Sequence, residues 1–173
     1  DLEANYRTGL NLLGGDESFT TRIFASWLFE NSETLGSGVY NDRAGQTGLQ
    51  QSNGAPYGLP DFKLTGNMTY GRNGLAAFVQ GRYIGSGTQE NRLGDVPANK
   101  VASAFYLDAR LTQTVAFGSG KQLELFVAGT NLTDKAPPIT PYYSTFSAHT
   151  IQSNSVLFDM LGRRFTVGAR IRM

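Results

Sequence analysis

The 173-residue chain has no cysteine, a single histidine and few charged residues, and each shortage excludes a class of function. Without cysteine, disulfides and thiolate metal sites are excluded. With His149 alone, no His/Cys zinc spacing exists, and no Asp-rich calcium loop occurs, so neither a metal nor a cofactor is expected. The net charge is +1 and the arginines are scattered, which argues against a nucleic-acid partner.

Long apolar runs are also lacking, since the longest fall far short of the ~20 residues that a membrane-spanning helix needs. No signal peptide opens the chain, because Asp1, Leu2 and Glu3 already belong to an alternating pattern. We therefore expect either a removed signal or a piece of a longer protein. What is abundant is glycine, with 21 residues, and aromatics at 12%, a mix that favours strands and turns.

Seven segments alternate between apolar and polar residues, as strands with two different faces do. In the last of them, Phe165 and Val167 fall on one side, and Arg170 and Arg172 on the other. Helical spacing fits none of the seven, so the sequence predicts an all-β fold. The segments span residues 1–13, 18–30, 61–71, 74–85, 104–118, 121–131 and 164–173.

The connections between these segments are alternately short and long. The short ones, "GGDE", "RNG" and "GSGK", are Gly-bearing hairpin turns. The long ones cover about residues 31–60, 86–102 and 132–161. Transmembrane β-barrels have short periplasmic turns, long extracellular loops and apolar-out, polar-in strands. A soluble β-sandwich would show the same alternation, but the loop asymmetry and the mid-strand charges favour an antiparallel transmembrane β-barrel segment.

The number of predicted strands is odd, whereas bacterial single-chain barrels use an even number. We therefore expect the chain to be part of a larger barrel.

Two stretches resemble the C-terminal end of TonB-dependent outer-membrane receptors. "LELFVAGTNLTDKAPP" (Leu123–Pro138) contains an N-L-[FT]-D-K-x-P element, and "FDMLGRRFTVGARIRM" (Phe158–Met173) contains an aspartate followed by a GRRF-like entry to the last strand. "YLDARLTQT" (Tyr106–Thr114) is similar to the preceding strand of that family. The likeness covers most of the chain and is strongest over residues 103–173.

The resemblance implies that residues 1–173 are the C-terminal portion of a plugged barrel of about 22 strands in the outer membrane of a Gram-negative bacterium. The family imports scarce nutrients, such as iron–siderophore complexes, cobalamin or oligosaccharides, with energy passed on by TonB. The implied partners are outer-membrane lipid, the plug domain, the remaining barrel strands, TonB acting through an N-terminal part, and a small nutrient ligand.

Charged side chains on the polar face would line the lumen of such a barrel. A charge facing lipid near the midplane costs roughly 2–4 kcal/mol, so these residues are expected to pair with one another or with the plug. The set comprises Arg7, Arg22, Arg82, Asp108, Arg110, Glu124, Arg164, Arg170 and Arg172.

Loop residues are the candidates for ligand contact. "APPITPYYSTF" is stiffened by proline and clusters Tyr142, Tyr143 and Phe146, with His149 three residues further on. The alternative is that this loop packs on itself or on its neighbours. One histidine in a loop rich in Ser and Thr does not make a Ser–His hydrolase, so no catalytic residue is assigned and no enzyme is expected.

Two other functions remain open from the sequence. A non-transporting outer-membrane barrel or adhesin would bind through its loops and lack an upstream plug. A soluble all-β binding module would stay folded and monomeric without detergent.

Overall fold

The computed structural model describes residues 1–34, 36, 38, 40–48, 59–91, 97–118, 120–140, 142–143, 150–151 and 153–173, with the backbone alone at 98, 142–143 and 150–151. Seven long strands form one sheet: β1 (Leu2–Leu10), β2 (Glu17–Trp27), β5 (Phe62–Arg72), β6 (Leu75–Ile84), β9 (Ala104–Phe117), β10 (Lys121–Thr130) and β13 (Arg164–Arg172). Short two-stranded ribbons lie in the long connections: β3 (Ser32–Thr34) with β4 (Tyr40–Asp42), β7 (Gly87–Thr88) with β8 (Lys100–Val101), and β11 (Tyr142–Tyr143) with β12 (Thr150–Ile151). A 3-10 helix, Pro97–Asn99, precedes β8.

The strand order in the sheet is β1-β2-β5-β6-β9-β10-β13, and every neighbouring pair is antiparallel. This confirms the predicted all-β fold with seven strands. The sheet is open, because β1 and β13 form its two edges. The short ribbons were not predicted, since two or three residues are too few for an alternating pattern to register.

One end of the sheet carries the short turns and the other end carries the long connections. Asn73 and Gly74 form a two-residue turn with φ of 47° and 79°, the left-handed values that a type I′ hairpin requires. The first turn is longer than predicted. The carboxylate of Glu17 accepts hydrogen bonds from the backbone N–H of Leu12 and Leu13, 2.7 Å each, which takes both residues out of β1. We call the opposite end the loop end; it consists of the described residues within the connections 28–61, 85–103 and 131–163.

Cross-strand register places the predicted apolar residues of all seven strands on one face of the sheet. Tyr83 lies opposite Leu64 and Phe105, and Val127 lies opposite Leu111. We call this surface the apolar face. Its large side chains are exposed, among them Ile23, Met68, Val79, Leu111, Leu125, Val127, Val167 and Ile171.

The other surface, the charged face, also carries aromatic rings that the alternating pattern did not single out. The guanidinium of Arg110 lies 4.2 Å from the ring centre of Phe126, and that of Arg82 lies 5.4 Å from the ring centre of Tyr106. Such stacking is favourable because a cation is attracted to the negative face of a ring.

The buried hydrophobic cluster lies at the loop end. Ile84, Ala104 and Tyr106 occupy charged-face positions at the ends of β6 and β9, where Val101 and Phe158 from two long connections cover them. The loops, rather than a second sheet, therefore supply the cover for this core in the described part of the chain.

Candidate functional site: the charged face and the loop end

The predicted lumen-facing residues all lie on the charged face, and most of them pair. Arg82 Nη2 is 3.4 Å from Asp108 Oδ2, and Arg110 Nη2 is 3.4 Å from Glu124 Oε1. These contacts join β6 to β9 and β9 to β10. Because the arginine side chains are more than a third exposed, each pair contributes at most about 1 kcal/mol.

Further pairs lie at the two edges of the same face. Arg22 Nη2 is 3.0 Å from Glu3 Oε1, which links β2 to β1, and Arg164 Nη1 is 2.9 Å from Asp159 Oδ1. The expectation that charges on this face neutralise one another is therefore met for these arginines.

Three arginines of this face have no ion-pair or hydrogen-bond partner among the described residues. Arg7 lies on β1, and Arg170 and Arg172 lie on β13. Arg170 stands opposite Glu124 in the register, but the carboxylate of Glu124 is already close to Arg110. Both edge strands of the sheet thus carry uncompensated positive charge.

Asn131 sits at the centre of the first family-like motif and closes the loop after β10. It is fully buried, and its Oδ1 accepts hydrogen bonds from Lys135 N at 3.0 Å and from Thr133 Oγ1 at 3.2 Å. Its Nδ2 donates to Lys135 O at 3.1 Å, and its backbone N–H donates to Asp108 Oδ1 at 2.8 Å. The side-chain amide therefore folds the loop, while Asp108 attaches that loop to β9.

The second motif is fastened to the first. Arg163 donates its backbone N–H to Asp134 Oδ1 at 3.1 Å, and its guanidinium lies 3.5 Å from Asp134 Oδ2. Gly162, with φ of 72°, and Asp134, with φ of 51°, both adopt left-handed backbone where they meet. The loop after β10 is thereby joined to the entry of β13.

Asp159 completes this junction. Its Oδ1 accepts hydrogen bonds from the Arg164 guanidinium and from the Leu161 backbone N–H, 2.9 Å each, and its own backbone N–H donates to Tyr106 Oη at 3.2 Å. The bond from Arg164, assisted by that from Leu161, holds the pKa of the Asp159 carboxyl below its usual value against the opposing effect of burial. The carboxylate is therefore held ionised between β9 and β13.

A second group of buried polar residues binds the three long connections to one another. Thr47 N donates to Thr88 O at 2.8 Å, Thr88 N donates to Gly45 O at 2.9 Å, and Asn154 Nδ2 donates to Thr47 O at 3.1 Å. Gly87 permits this close approach, because a Cβ at that position would lie 2.2 Å from Gly45 O. These residues were not predicted, and no pattern in the sequence marks them.

The predicted ligand-contacting residues remain a prediction. Tyr142 and Tyr143 form β11, which pairs with β12, and nothing is described of their side chains. Phe146 and His149 lie outside the described residues. The backbone of Tyr142 and Tyr143 therefore lies in the connection after β10, and ligand contact by the four residues stays a prediction.

The apolar face carries a shallow groove of about 310 Å³ where Gly66 lies opposite Gly81. Its lining is formed by neighbouring apolar side chains, including Ile23, Val79 and Phe105. The groove therefore belongs to the uncovered apolar surface, and Thr21 and Tyr83 are the hydroxyl-bearing residues of its lining.

Within the described residues, no cluster of three or more His, Asp or Glu side chains could hold a metal ion. Over the same residues, no helix combines the length and apolar character needed to cross a membrane. Comparison with family models, with curated proteins and with solved structures gives no match for this chain.

Proposed function

We propose that this chain is the C-terminal part of the barrel wall of a TonB-dependent outer-membrane receptor that imports a scarce nutrient. In this proposal the apolar face meets lipid, the charged face lines the lumen, and the loop end faces outward to receive the ligand.

The observation that carries the proposal is the uncovered apolar face. Large side chains are exposed on all seven long strands, up to 80% for Val167, while charged groups occupy the opposite face. A soluble monomer rarely exposes a contiguous apolar surface larger than a few hundred Å². A bilayer is the solvent that suits one such face, because a membrane-spanning sheet needs apolar side chains outward.

The direction of the edge strands supports a larger barrel. β1 precedes a short turn and β13 follows a long connection, so both run from the loop end to the short-turn end. Antiparallel pairing all round would therefore require an odd number of further strands between them. An even total is what bacterial single-chain barrels use.

The backbone hydrogen bonds give the same parity. Gly85 N donates to Phe62 O across β5 and β6, at an apolar-face pair, and Leu28 N donates to Asp61 O across β2 and β5, at a charged-face pair. Successive strands thus bond alternately through the residues of one face and then of the other. When this alternation is continued to the edges of the sheet, the free N–H and C=O groups of β13 belong to its apolar-face residues. Those of β1 belong to its charged-face residues. In antiparallel pairing, the two edges therefore cannot bond to each other with their faces matched.

The single tryptophan provides a direct test of the lipid-facing surface. Trp27 lies on the apolar face at the last residue of β2, and it is 45% exposed. In vesicles of brominated lipid we expect its fluorescence to be quenched, more strongly by bromine near the head groups than by bromine at the chain ends. The matched control is Trp27→Phe combined with Thr114→Trp, which moves the reporter to the charged face and should abolish the quenching.

Other outcomes would favour the other functions. A chain that stays folded and monomeric without detergent, and whose Trp27 is not quenched, would indicate a soluble binding module. Transport is tested on the intact gene product, by uptake of ferric siderophore, cobalamin or oligosaccharide with and without a working TonB complex. A gene product that has no plug domain and shows no TonB-dependent uptake would favour a non-transporting barrel or adhesin.

A further inference from the structure

The open edge of β13 combines free backbone groups with two arginines that lack partners. The residues Phe165, Val167, Ala169 and Ile171 direct their N–H and C=O groups to this edge, as the alternation of hydrogen-bonded pairs requires. Between them, Arg170 and Arg172 project from the charged face and are exposed. The edge is therefore both a hydrogen-bonding template and a positively charged one.

The neighbouring strand inside the sheet cannot neutralise these arginines. On β10, Glu124 stands opposite Arg170 but is close to Arg110, and the uncharged Gln122 stands opposite Arg172. Glu124 is thus the one carboxylate near three guanidinium groups on this part of the described face, and a strand on the open side could supply the compensating charge.

We propose that the strand which completes the sheet at β13 carries carboxylates opposite Arg170 and Arg172. This deepens the proposed function and rests on it, since a closed barrel needs a strand at this edge. The arginines occupy positions that are not hydrogen-bonded across the edge, where facing side chains approach most closely. The partner is an antiparallel strand with acidic residues at these two positions and apolar residues opposite Val167 and Ile171.

A second copy of this chain fits the edge poorly. Two β13 strands could bond in phase, but β13 has no acidic residue to offer to Arg170 or Arg172. The β1 edge of a second copy presents Glu3, but it is out of phase for antiparallel pairing, because its free backbone groups belong to the charged face. For an antiparallel partner, the charge and the phase together favour a different, acidic strand.

The test uses synthetic nine-residue peptides, designed to pair antiparallel with the nine residues of β13. They are added to the whole chain refolded in detergent micelles. The peptide Glu-Val-Glu-Tyr-Thr-Val-Thr-Leu-Gln places its glutamates opposite Arg172 and Arg170. A second peptide has lysine at both positions, and a third has the composition of the first in scrambled order. Binding is measured by the anisotropy of a fluorophore on the peptide.

We expect the glutamate peptide to bind roughly tenfold more tightly than the lysine peptide, since two attractive cross-strand pairs replace two repulsive ones. The double substitution Arg170→Glu and Arg172→Glu should reverse the order. The matched control is Arg7→Glu, which changes a partnerless arginine on the other edge strand and should leave the preference unchanged.

Equal binding of the two charged peptides, binding of the scrambled peptide as tight as that of the glutamate peptide, or no binding of any peptide to a chain folded by circular dichroism would overturn the inference. Reversal by Arg7→Glu would also do so. Because Trp27 quenching in vesicles is measured separately, a failed charge preference with normal quenching would refute this inference and leave the proposed function standing.

Discussion

Placing an arginine on the apolar face should destabilise the chain in lipid far more than placing it on the charged face. Leu125 lies on the apolar face near the middle of β10 and is 47% exposed. Thr114 lies on the neighbouring strand but on the charged face, opposite Glu124. The substitutions Leu125→Arg and Thr114→Arg therefore add the same side chain to two adjacent places that differ in the face they occupy.

The expected difference can be estimated from the exposure. Full burial of a leucine is worth about 1.5–3 kcal/mol, so lipid contact of the exposed half contributes about 1 kcal/mol. An arginine facing lipid near the midplane costs roughly 2–4 kcal/mol. Leu125→Arg should thus lower the free energy of unfolding by about 3–5 kcal/mol. At Thr114 the new cation faces Glu124, and the change should stay within about 1 kcal/mol.

The assay is equilibrium unfolding by guanidinium in lipid vesicles, followed by Trp27 fluorescence. Both variants are compared with the unsubstituted chain at the same lipid-to-protein ratio. If the two substitutions lower the free energy of unfolding by similar amounts, the assignment of the faces is wrong. A larger loss at Thr114 would mean that the charged face is the one that meets lipid.

Three further predictions concern the loop end. Asn131→Ala removes the acceptor of Lys135 N and puts alanine at φ of 51°, so it should cost roughly 2–4 kcal/mol in the same unfolding assay; no loss would contradict the closing role of Asn131. Gly87→Ala should weaken loop packing by about 1–3 kcal/mol, seen as faster amide exchange at Thr88, whereas Gly36→Ala, which meets nothing within 4 Å, should not. Because the pKa of Asp159 is lowered in the folded chain, the stabilisation that this carboxylate provides should persist down to about pH 4 and be lost as the pH falls through the folded pKa. The loss should appear as faster amide exchange at Leu161, whose N–H bonds to Asp159. The variant Asp159→Asn should not show this pH dependence.

The sheet could be predicted from the sequence because the alternation of side chains along a strand is local and repeats every two residues. Side chains alternate every residue along a strand, so a face such as that of Phe165, Val167 and Ile171 is visible in the letters alone. Short turns are equally visible, since Asn73-Gly74 needs left-handed backbone that few residues adopt.

The loop end could not be predicted, because it depends on contacts between residues far apart in the chain. Asn154 reaches Thr47 across 107 positions, and the closeness of Gly87 to Gly45 arises only once two connections are folded together. The aromatic residues of the charged face were missed for a related reason. Phe126 is an apolar residue at a charged-face position, and the guanidinium of Arg110, on the neighbouring strand, stacks on its ring.

The motifs that carry the resemblance join the loop end to the sheet through hydrogen bonds. Asn131 folds one loop, Asp134 fastens it to Arg163, and Asp159 ties β13 to β9 through Arg164 and Tyr106. These side chains form hydrogen bonds within the junction, so few of their donors and acceptors are left for a ligand. This junction joins the loop after β10 to the entry of β13 and to β9, so it can hold the register of the strands on either side of the connection 131–163. Under the proposed function, these motifs belong to the barrel wall, and ligand specificity resides in loop residues beyond them.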